Sequence, residues 1–301
     1  MKFCELLPAT EVRSLCCDSR RVTPGALFVC LPGQHTDGHA FAAQAAAAGA
    51  AGIVCEHPLP GLLPALPVVQ VAHSRRALAQ LAVRFYGEPA RRMTMIGVTG
   101  TKGKTTTAHL LAAVLTAAGR KTGIIGTNGV EWPGYRRPLH HTTPESCDLQ
   151  ALLRRMADDG CDACVMEVSS LGLKMDRVRG IHYDLGIFTN LSPDHIGPGE
   201  HASFAEYRAW KSVLFRRCTV GVVNADDSQT PELLRLHTCR VVTYGIDQPA
   251  DWRAAADFSL RRAPGVLGTA FTAAGPSSPP AAYEVPMPGR FSVYNALAVL
   301  A

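Results

Sequence analysis

Apolar and polar positions along this chain fall into blocks whose period changes. Near the N-terminus GALFVCL (25–31), AGIVCE and LPVVQV are short continuous apolar runs, the pattern of strands covered on both faces. Between them AFAAQAAAAGA (40–50) and SRRALAQLAVRFYG carry apolar residues at helical spacing, with Ser74 placed as an N-cap and Gly87 just past the end. From Met93 the alternation becomes regular. MTMIGVTG, KTGIIGT, CVMEVSS, LGIFTN, VGVVNADD and RVVTYG read as strands, while 104–118, CDLQALLRRMADDG, 202–217 and 231–237 read as helices. The pattern predicts an α/β fold: a small α/β unit over 1–88, a boundary near GEPARR (87–92), and a mostly parallel sheet with helices on both faces over 89–301. Ligands of such sheets lie beyond the carboxyl ends of the strands, where Thr99, Ser169, Asn190 and Asp226 fall. Residues 253–286, rich in Ala, Pro, Gly and Ser and notably GPSSPPAAY, have the composition of a linker, but FSLRRA and GVLGTAFTA read better as short antiparallel strands joined by a loop. A last helix, FSVYNALAVLA, reaches Ala301 without a cap, which predicts a chain that continues in a longer protein.

Composition removes some classes and leaves others. With 301 residues, 47% hydrophobic and 18% charged, the chain fits a two-domain globular protein. The net charge of +5 suits an anionic ligand, but Arg20-Arg21, Arg75-Arg76, Arg91-Arg92 and Arg136-Arg137 read as scattered solvated pairs, so no nucleic-acid partner is expected. No apolar run reaches the ~18 residues that span a bilayer, so a cytoplasmic location without membrane insertion is expected. The ten irregularly spaced cysteines read as reduced thiols, and Cys161-x-x-Cys164, without a second pair, reads as the start of a strand rather than a zinc site.

The chemistry concentrates in TGTKGKTTT (99–107). Gly100 and Gly103 allow successive N–H groups to turn inward at a helix start, Lys104 can reach β and γ phosphates, and the Thr105 hydroxyl can bind Mg²⁺. The longer glycine pattern of kinases and motor-type NTPases would need Gly at position 98, where Val98 stands. A nucleotide kinase, a carboxylate-activating ligase and a non-catalytic nucleotide module all remain open at this point. Glu167 at a strand end is placed to hold Mg²⁺, or is an ordinary acid facing water. His195, beside Asp194, follows the next strand. In FAEYRAWKSVLF the apolar face is Phe204, Tyr207, Trp210, Leu214 and Phe215, and Lys211 at its edge reads as a snorkelling surface lysine.

The ordered set TGTKGKTTT, HTTPESCDLQ, MEVSS, FTNLSPDH, YRAWKSVLF, VNADD and MPGRFSVYNALA resembles the Mur ligases, ATP-dependent amide-forming enzymes of bacterial cell-wall synthesis. The segment CDSRRVTPGALFVCLPGQHTDGHAF and HHTTPE are similar to the members that add the third residue of the peptide. This resemblance implies a UDP-substrate-binding domain over 1–88, a P-loop ATP-binding central domain over 89–301 incomplete at its end, and an absent C-terminal ligase domain that holds the amino acid. It implies ATP and Mg²⁺ as cofactors. It further implies that meso-diaminopimelate or L-lysine is joined to UDP-N-acetylmuramoyl-L-alanyl-D-glutamate through an acyl phosphate, by a monomer. Folylpolyglutamate synthase, another Mur-type ligase or a non-catalytic paralogue are the alternatives, and 301 residues alone are expected to turn over weakly or not at all.

By the same resemblance Ser19, Gln34, His35 and Thr36 meet the uridine end, and Thr142, Thr143, Ser169 and Arg177 the diphosphate and muramoyl-peptide part. Gly100, Thr101, Lys102, Gly103, Lys104, Thr105 and Thr106 hold ATP, with Asn295 at the adenosine. Thr105, Glu167, His195 and a carbamylated Lys211 take the metal ions, which replaces the surface-lysine reading. Lys104, Lys211, Glu167 and His195 are the implied catalytic group. Four positions depart from the family pattern: His141, Leu171, Met175 and Ser292.

Overall fold

A computed structural model describes residues 11–33, 36–61, 65–263 and 266–301. The chain divides into two compact units. The first comprises the chain to Pro89 together with Glu145–Arg155 and Met175–Gly180. Its sheet is fully parallel in the order β1 (Ser14–Cys16), β2 (Ala26–Val29), β3 (Gly52–Cys55), β4 (Val68–Gln70). Helices α1 (Ala42–Ala47) and α2 (Ser74–Phe85) complete it. The apolar runs of β2 and β3 have their expected cause, whereas LPVVQV is not covered on both faces: β4 is the edge strand, and its Val68 and Gln70 are exposed. Leu27, Val29 and Val54 enter one apolar cluster with Leu78 and Leu81, while Phe28, Cys30, Ile53 and Cys55 enter another with Ala42 and Ala45. Period-two alternation therefore feeds two buried faces.

One local expectation fails here. Ser74 is the first residue of α2 rather than its cap, and both its N–H (2.7 Å) and its hydroxyl (2.8 Å) donate to Glu56 Oε1. A carboxylate at the end of β3 is a stronger acceptor for the positive helix end than the serine's own oxygen.

The second unit holds Ala90–Pro144, Met156–Lys174 and Ile181–Ala301. Its parallel centre runs β6 (Thr122–Gly126), β9 (Ala163–Glu167), β5 (Thr94–Thr99), β10 (Tyr183–Phe188), β11 (Cys218–Asn224), β12 (Arg240–Gly245), β13 (Trp252–Ala254). Antiparallel strands flank it: β7 (Gly129–Trp132) and β8 (Tyr135–Arg137) on one side, β15 (Val266–Gly275) with β14 (Ser259–Ala263) and β16 (Ser278–Val285) on the other. Helix α3 (Lys104–Ala117) follows β5; α4 (Ser146–Asp158) belongs to the first unit as far as Arg155 and to this one from Met156, ahead of β9. The rest are α5 (Ser170–Lys174), α6 (Phe204–Ser212), α7 (Thr230–Leu233) and α8 (Arg290–Leu300).

Differences from the sequence reading are local. GPSSPPAAY enters β16, because Pro279 and Pro280 are tolerated on a strand that pairs only with β15. The helix expected over 202–217 is α6 followed by a 3₁₀ turn over Val213–Arg216, and that over 231–237 is only the single turn α7. The nine described cysteines are free.

Candidate active site

The loop between β5 and α3 is shaped by what lies directly beneath it. At Gly100, φ is +144°, and a Cβ would stand 2.0 Å from Thr189 Oγ1. Thr101 N donates to Asn190 O (2.8 Å), Lys102 N donates to Asn190 Oδ1 (3.0 Å), and Lys102 O accepts from Thr189 Oγ1 (2.7 Å) and Asn190 Nδ2 (3.0 Å). Asn190 and Thr189 thus clamp the loop's first half. Its second half, Gly103 to Thr106, opens α3, where helix N–H groups have no intrahelical acceptor and are oriented for an anion. Lys104 folds back to donate to Gly100 O (3.0 Å) and Thr101 O (3.1 Å), and burial pushes its ammonium below the usual lysine range.

Glu167, at the end of β9, is 1% exposed. Its Oε1 accepts from Thr105 Oγ1 (2.9 Å) and Thr127 N (2.9 Å), and its Oε2 from Thr127 Oγ1 (3.2 Å). Gly126 leaves the room, since a Cβ there would lie 2.3 Å from Oε1. A carboxylate joined to a threonine hydroxyl at the phosphate end of a helix is a hard-oxygen donor set, so these residues fit a Mg²⁺ ion. Next to it Thr127 Oγ1 lies 3.1 Å from Thr142 Oγ1. Thr143 is fully buried; its hydroxyl donates to Glu167 O (2.9 Å) and accepts from Ser169 N (3.0 Å). Ser169 Oγ accepts from Gly172 N (3.0 Å).

Lys211 overturns its residue-only reading, for it is 1% exposed rather than snorkelling. Its Nζ donates to Gly100 O (2.8 Å) and lies 4.6 Å from the centre of the Tyr207 ring. Burial pushes its pKa well below the usual lysine value, and neighbouring Lys104 lowers it further. Ser203 caps α6 through Glu206 N (3.1 Å), and Glu206 accepts from Lys174 Nζ (2.9 Å), which fixes the helix face that carries Tyr207 and Lys211. His195, in the left-handed region at φ +54°, turns its Nδ1 to Glu200 Oε1 (2.8 Å). Among the described residues it makes no hydrogen bond to Thr105, Glu167 or Lys211. Its loop is tied by His201, whose N–H donates to His195 O (3.2 Å) and whose buried ring meets Ser170 Oγ (2.9 Å). Tyr207, Thr127 and His201 escaped the sequence reading; only Tyr207 had a signal, standing one helical turn before Lys211.

A cavity of about 450 Å³ continues from the loop, lined by Lys102, Gly103, Thr106, Asn190, Asp226 and Asn295, with Phe291 80% exposed at its edge. Asn295 Oδ1 accepts from Thr107 Oγ1 (3.3 Å). Asp226 shapes the far wall by accepting from Ile246 N (2.6 Å), Asp247 N (3.0 Å), Gln248 N (2.7 Å) and the Tyr294 hydroxyl (2.7 Å). Burial alone would raise the Asp226 pKa, yet these donors hold it below the usual 3.8. Asp226→Ala strands three N–H groups and is expected to cost about 2–3 kcal/mol in a urea melt at pH 7. A depressed carboxyl pKa stabilises above the unfolded value, so the gap to wild type narrows as pH falls below about 4. A gap that stays constant from pH 7 to pH 3 would contradict this. A larger groove of about 890 Å³, bounded by Ala113, Ala117, Trp132 and Tyr135, is lined by none of the residues named for phosphate or metal.

In the first unit Ser19 Oγ donates to Gln44 Oε1 (3.1 Å), and Thr36 is exposed. Gln34 and His35 lie outside the described residues. Arg177 joins this unit and pairs with Glu145 (2.7 Å). Arg75 is not the solvated charge that its Arg-Arg pair suggested; its side chain is 21% exposed and also pairs with Glu145 (3.3 Å). Asp37, His39 and His57 approach one another closely enough to suggest a cation site. Hydrogen bonding argues against one. His39 Nε2 accepts from Glu56 N (2.8 Å), so Nδ1 carries the proton given to Asp37 (2.5 Å), and a metal there would require an imidazolate.

Residues 98–301 match the Mur ligase middle domain, and residues 11–86 match the Mur ligase family, catalytic domain. A curated relative from Geobacillus thermodenitrificans, "UDP-N-acetylmuramoyl-L-alanyl-D-glutamate--2,6-diaminopimelate ligase", is 42% identical over 97% of this chain and 59% of its own length. A solved structure with the same enzyme name superposes with a TM-score of 0.84 at 26% identity, over 100% of this chain and 62% of the other. The fold also matches a MurF ligase from Thermotoga maritima in complex with ADP, with a TM-score of 0.64, 20% identity, and coverage of 100% and 63%. The chain spans about 59% of the length of its curated relatives.

Proposed function

The chain belongs to the Mur ligase family, and from that premise we propose that it carries the UDP-substrate and ATP-binding parts of a ligase that adds diaminopimelate to UDP-N-acetylmuramoyl-L-alanyl-D-glutamate. The single observation that carries the reading is the convergence of Lys104, Thr105, Glu167 and Lys211 on one phosphate loop. In this reading ATP lies along the N-terminal end of α3, with its base in the 450 Å³ cavity near Asn295. Thr105 and Glu167 would hold Mg²⁺, Glu167 and His195 would also serve a second ion, and Lys211 would be the carbamylated, metal-binding lysine. Bound metal neutralises phosphate charge and so lowers the repulsion that a carboxylate meets at an anionic phosphoryl group. Lys104 places its ammonium against the transferring phosphoryl oxygens. The substrate carboxylate displaces ADP to give an acyl phosphate, and the amine then displaces phosphate to form the amide. By family resemblance Ser19, Gln34, His35, Thr36, Thr142, Thr143, Ser169 and Arg177 are assigned to the UDP-muramoyl substrate. For Thr143 that role is indirect, since its hydroxyl is committed to Glu167 O and Ser169 N.

The test is phosphate release by the full-length protein, a monomer expected in the cytoplasm. Release should require ATP, UDP-muramoyl-dipeptide and diaminopimelate together. Release at the same rate without the UDP substrate, or only with a folate substrate, would refute the proposal. No helix among the described residues is long and apolar enough to cross a membrane.

A further inference from the structure

We propose that Glu145 and Arg75 are positioning residues for Arg177, and that the three form one anion clamp built wholly within the first unit. The inference rests on the reading of Arg177 as a diphosphate contact. Arg75 is the second residue of α2, Glu145 directly precedes α4, and Arg177 belongs to the segment Met175–Gly180. The Glu145 carboxylate stands between the two guanidiniums, with Oε1 at 2.7 Å from Arg177 Nη2 and Oε2 at 3.3 Å from Arg75 Nη1. All three side chains are mostly covered, at 14%, 19% and 21% exposure for Arg177, Glu145 and Arg75. Half-desolvated charges hold their partners more firmly than surface pairs do.

Two consequences follow from one carboxylate serving two cations. First, the two guanidiniums are held side by side on one carboxylate, an arrangement that suits a diphosphate with its two anionic groups. Second, Arg75 Nη2 donates to Pro32 O (3.1 Å), two positions before Gln34, which the same reading assigns to the uridine end. The neighbouring arginine meets the same turn: Arg76 Nε donates to Asp176 Oδ2 (3.3 Å), and Asp176 holds φ +53°. Consecutive arginines of α2 therefore fix the orientation of Arg177, one through Glu145 and one through Asp176.

The test compares wild type, Glu145→Gln, Glu145→Asp and Arg75→Ala in the full-length protein. Steady-state kinetics are read together with direct binding of UDP-muramoyl-dipeptide by calorimetry. Glu145→Gln should raise the KM and Kd for the UDP substrate about tenfold, while kcat and the KM for ATP stay within about twofold. Glu145→Asp, too short to reach both guanidiniums, should fall between Gln and wild type. Arg75→Ala should weaken the UDP substrate in the same direction without moving the KM for ATP. Unchanged UDP-substrate affinity in both Glu145→Gln and Arg75→Ala overturns the clamp alone. Parallel losses in kcat, both KM values and melting temperature also overturn it, since they mark a merely structural pair. Wild-type protein that fails to bind UDP-muramoyl-dipeptide overturns the underlying reading of Arg177 instead.

Discussion

In the full-length protein, replacing Lys211 by Arg is expected to lower the proposed amide formation by about a thousandfold, as much as replacing it by Ala. On a solvated helix face the exchange of one long cation for another would be nearly silent. Here the side chain is 1% exposed, and its Nζ has Gly100 O as acceptor and the Tyr207 ring beside it. Burial favours the neutral amine, and Lys104 nearby favours it further. A neutral amine adds to CO₂: the C–N bond forms, one proton leaves, and a carbamate with two oxygens remains. A guanidinium stays protonated and cannot make that product. Wild-type activity should therefore decline in CO₂-depleted buffer and recover with bicarbonate, and ¹³C-bicarbonate should give a carbamate signal that Lys211→Arg lacks. Full activity in Lys211→Arg would end the assignment, provided its melting curve matches wild type.

Gly100→Ala is expected to weaken nucleotide binding by at least about a hundredfold and to cost about 2–4 kcal/mol of stability. The new methyl would lie 2.0 Å from Thr189 Oγ1 and 3.0 Å from Asn190 O, in a backbone with φ +144°. Neither neighbour can yield cheaply. Thr189 Oγ1 donates to Lys102 O, and Asn190 O accepts from Thr101 N, so relief at one contact breaks the clamp on the loop. Gly134→Ala is the control: its φ is +86° with nothing within 4 Å of the added Cβ, so it isolates the backbone term of about 1 kcal/mol. Calorimetry with ADP and urea melts read the two effects. Nucleotide affinity equal to wild type in Gly100→Ala would show that the loop is not shaped by this contact.

How much of the site could be read in advance depended on what each residue's neighbours are. The loop from Gly100 to Thr106 was legible because its chemistry is local: glycines, lysine and helix start are contiguous in the chain. Glu167 was legible as a strand-end acid, but Thr127, which supplies two of its three hydrogen bonds, comes from a different strand end and left no mark in the pattern. Lys211 misled for a related reason. Its place at the edge of an apolar face says nothing of what that face meets, and the burial comes from the loop near Gly100, 111 positions away. The Arg75-Arg76 pair read as solvated because Glu145 and Asp176, the acids that hold it, arrive from distant segments.

The order of strands and helices, the buried character of central strands such as β2, β3, β5 and β9 and the phosphate loop were determined by the sequence itself, since periodicity and turn chemistry act over a few residues. The antiparallel flanks, with β16 running through two prolines, were decided by which sheet edge remained to be filled. Only the tertiary structure decided that Lys211 is dry, that Glu167 is held by Thr105 and Thr127, and that Arg177 folds with the first unit beside Glu145. Desolvation and charge pairing are set by neighbours in space, and a one-dimensional pattern carries no distance between residues far apart along it.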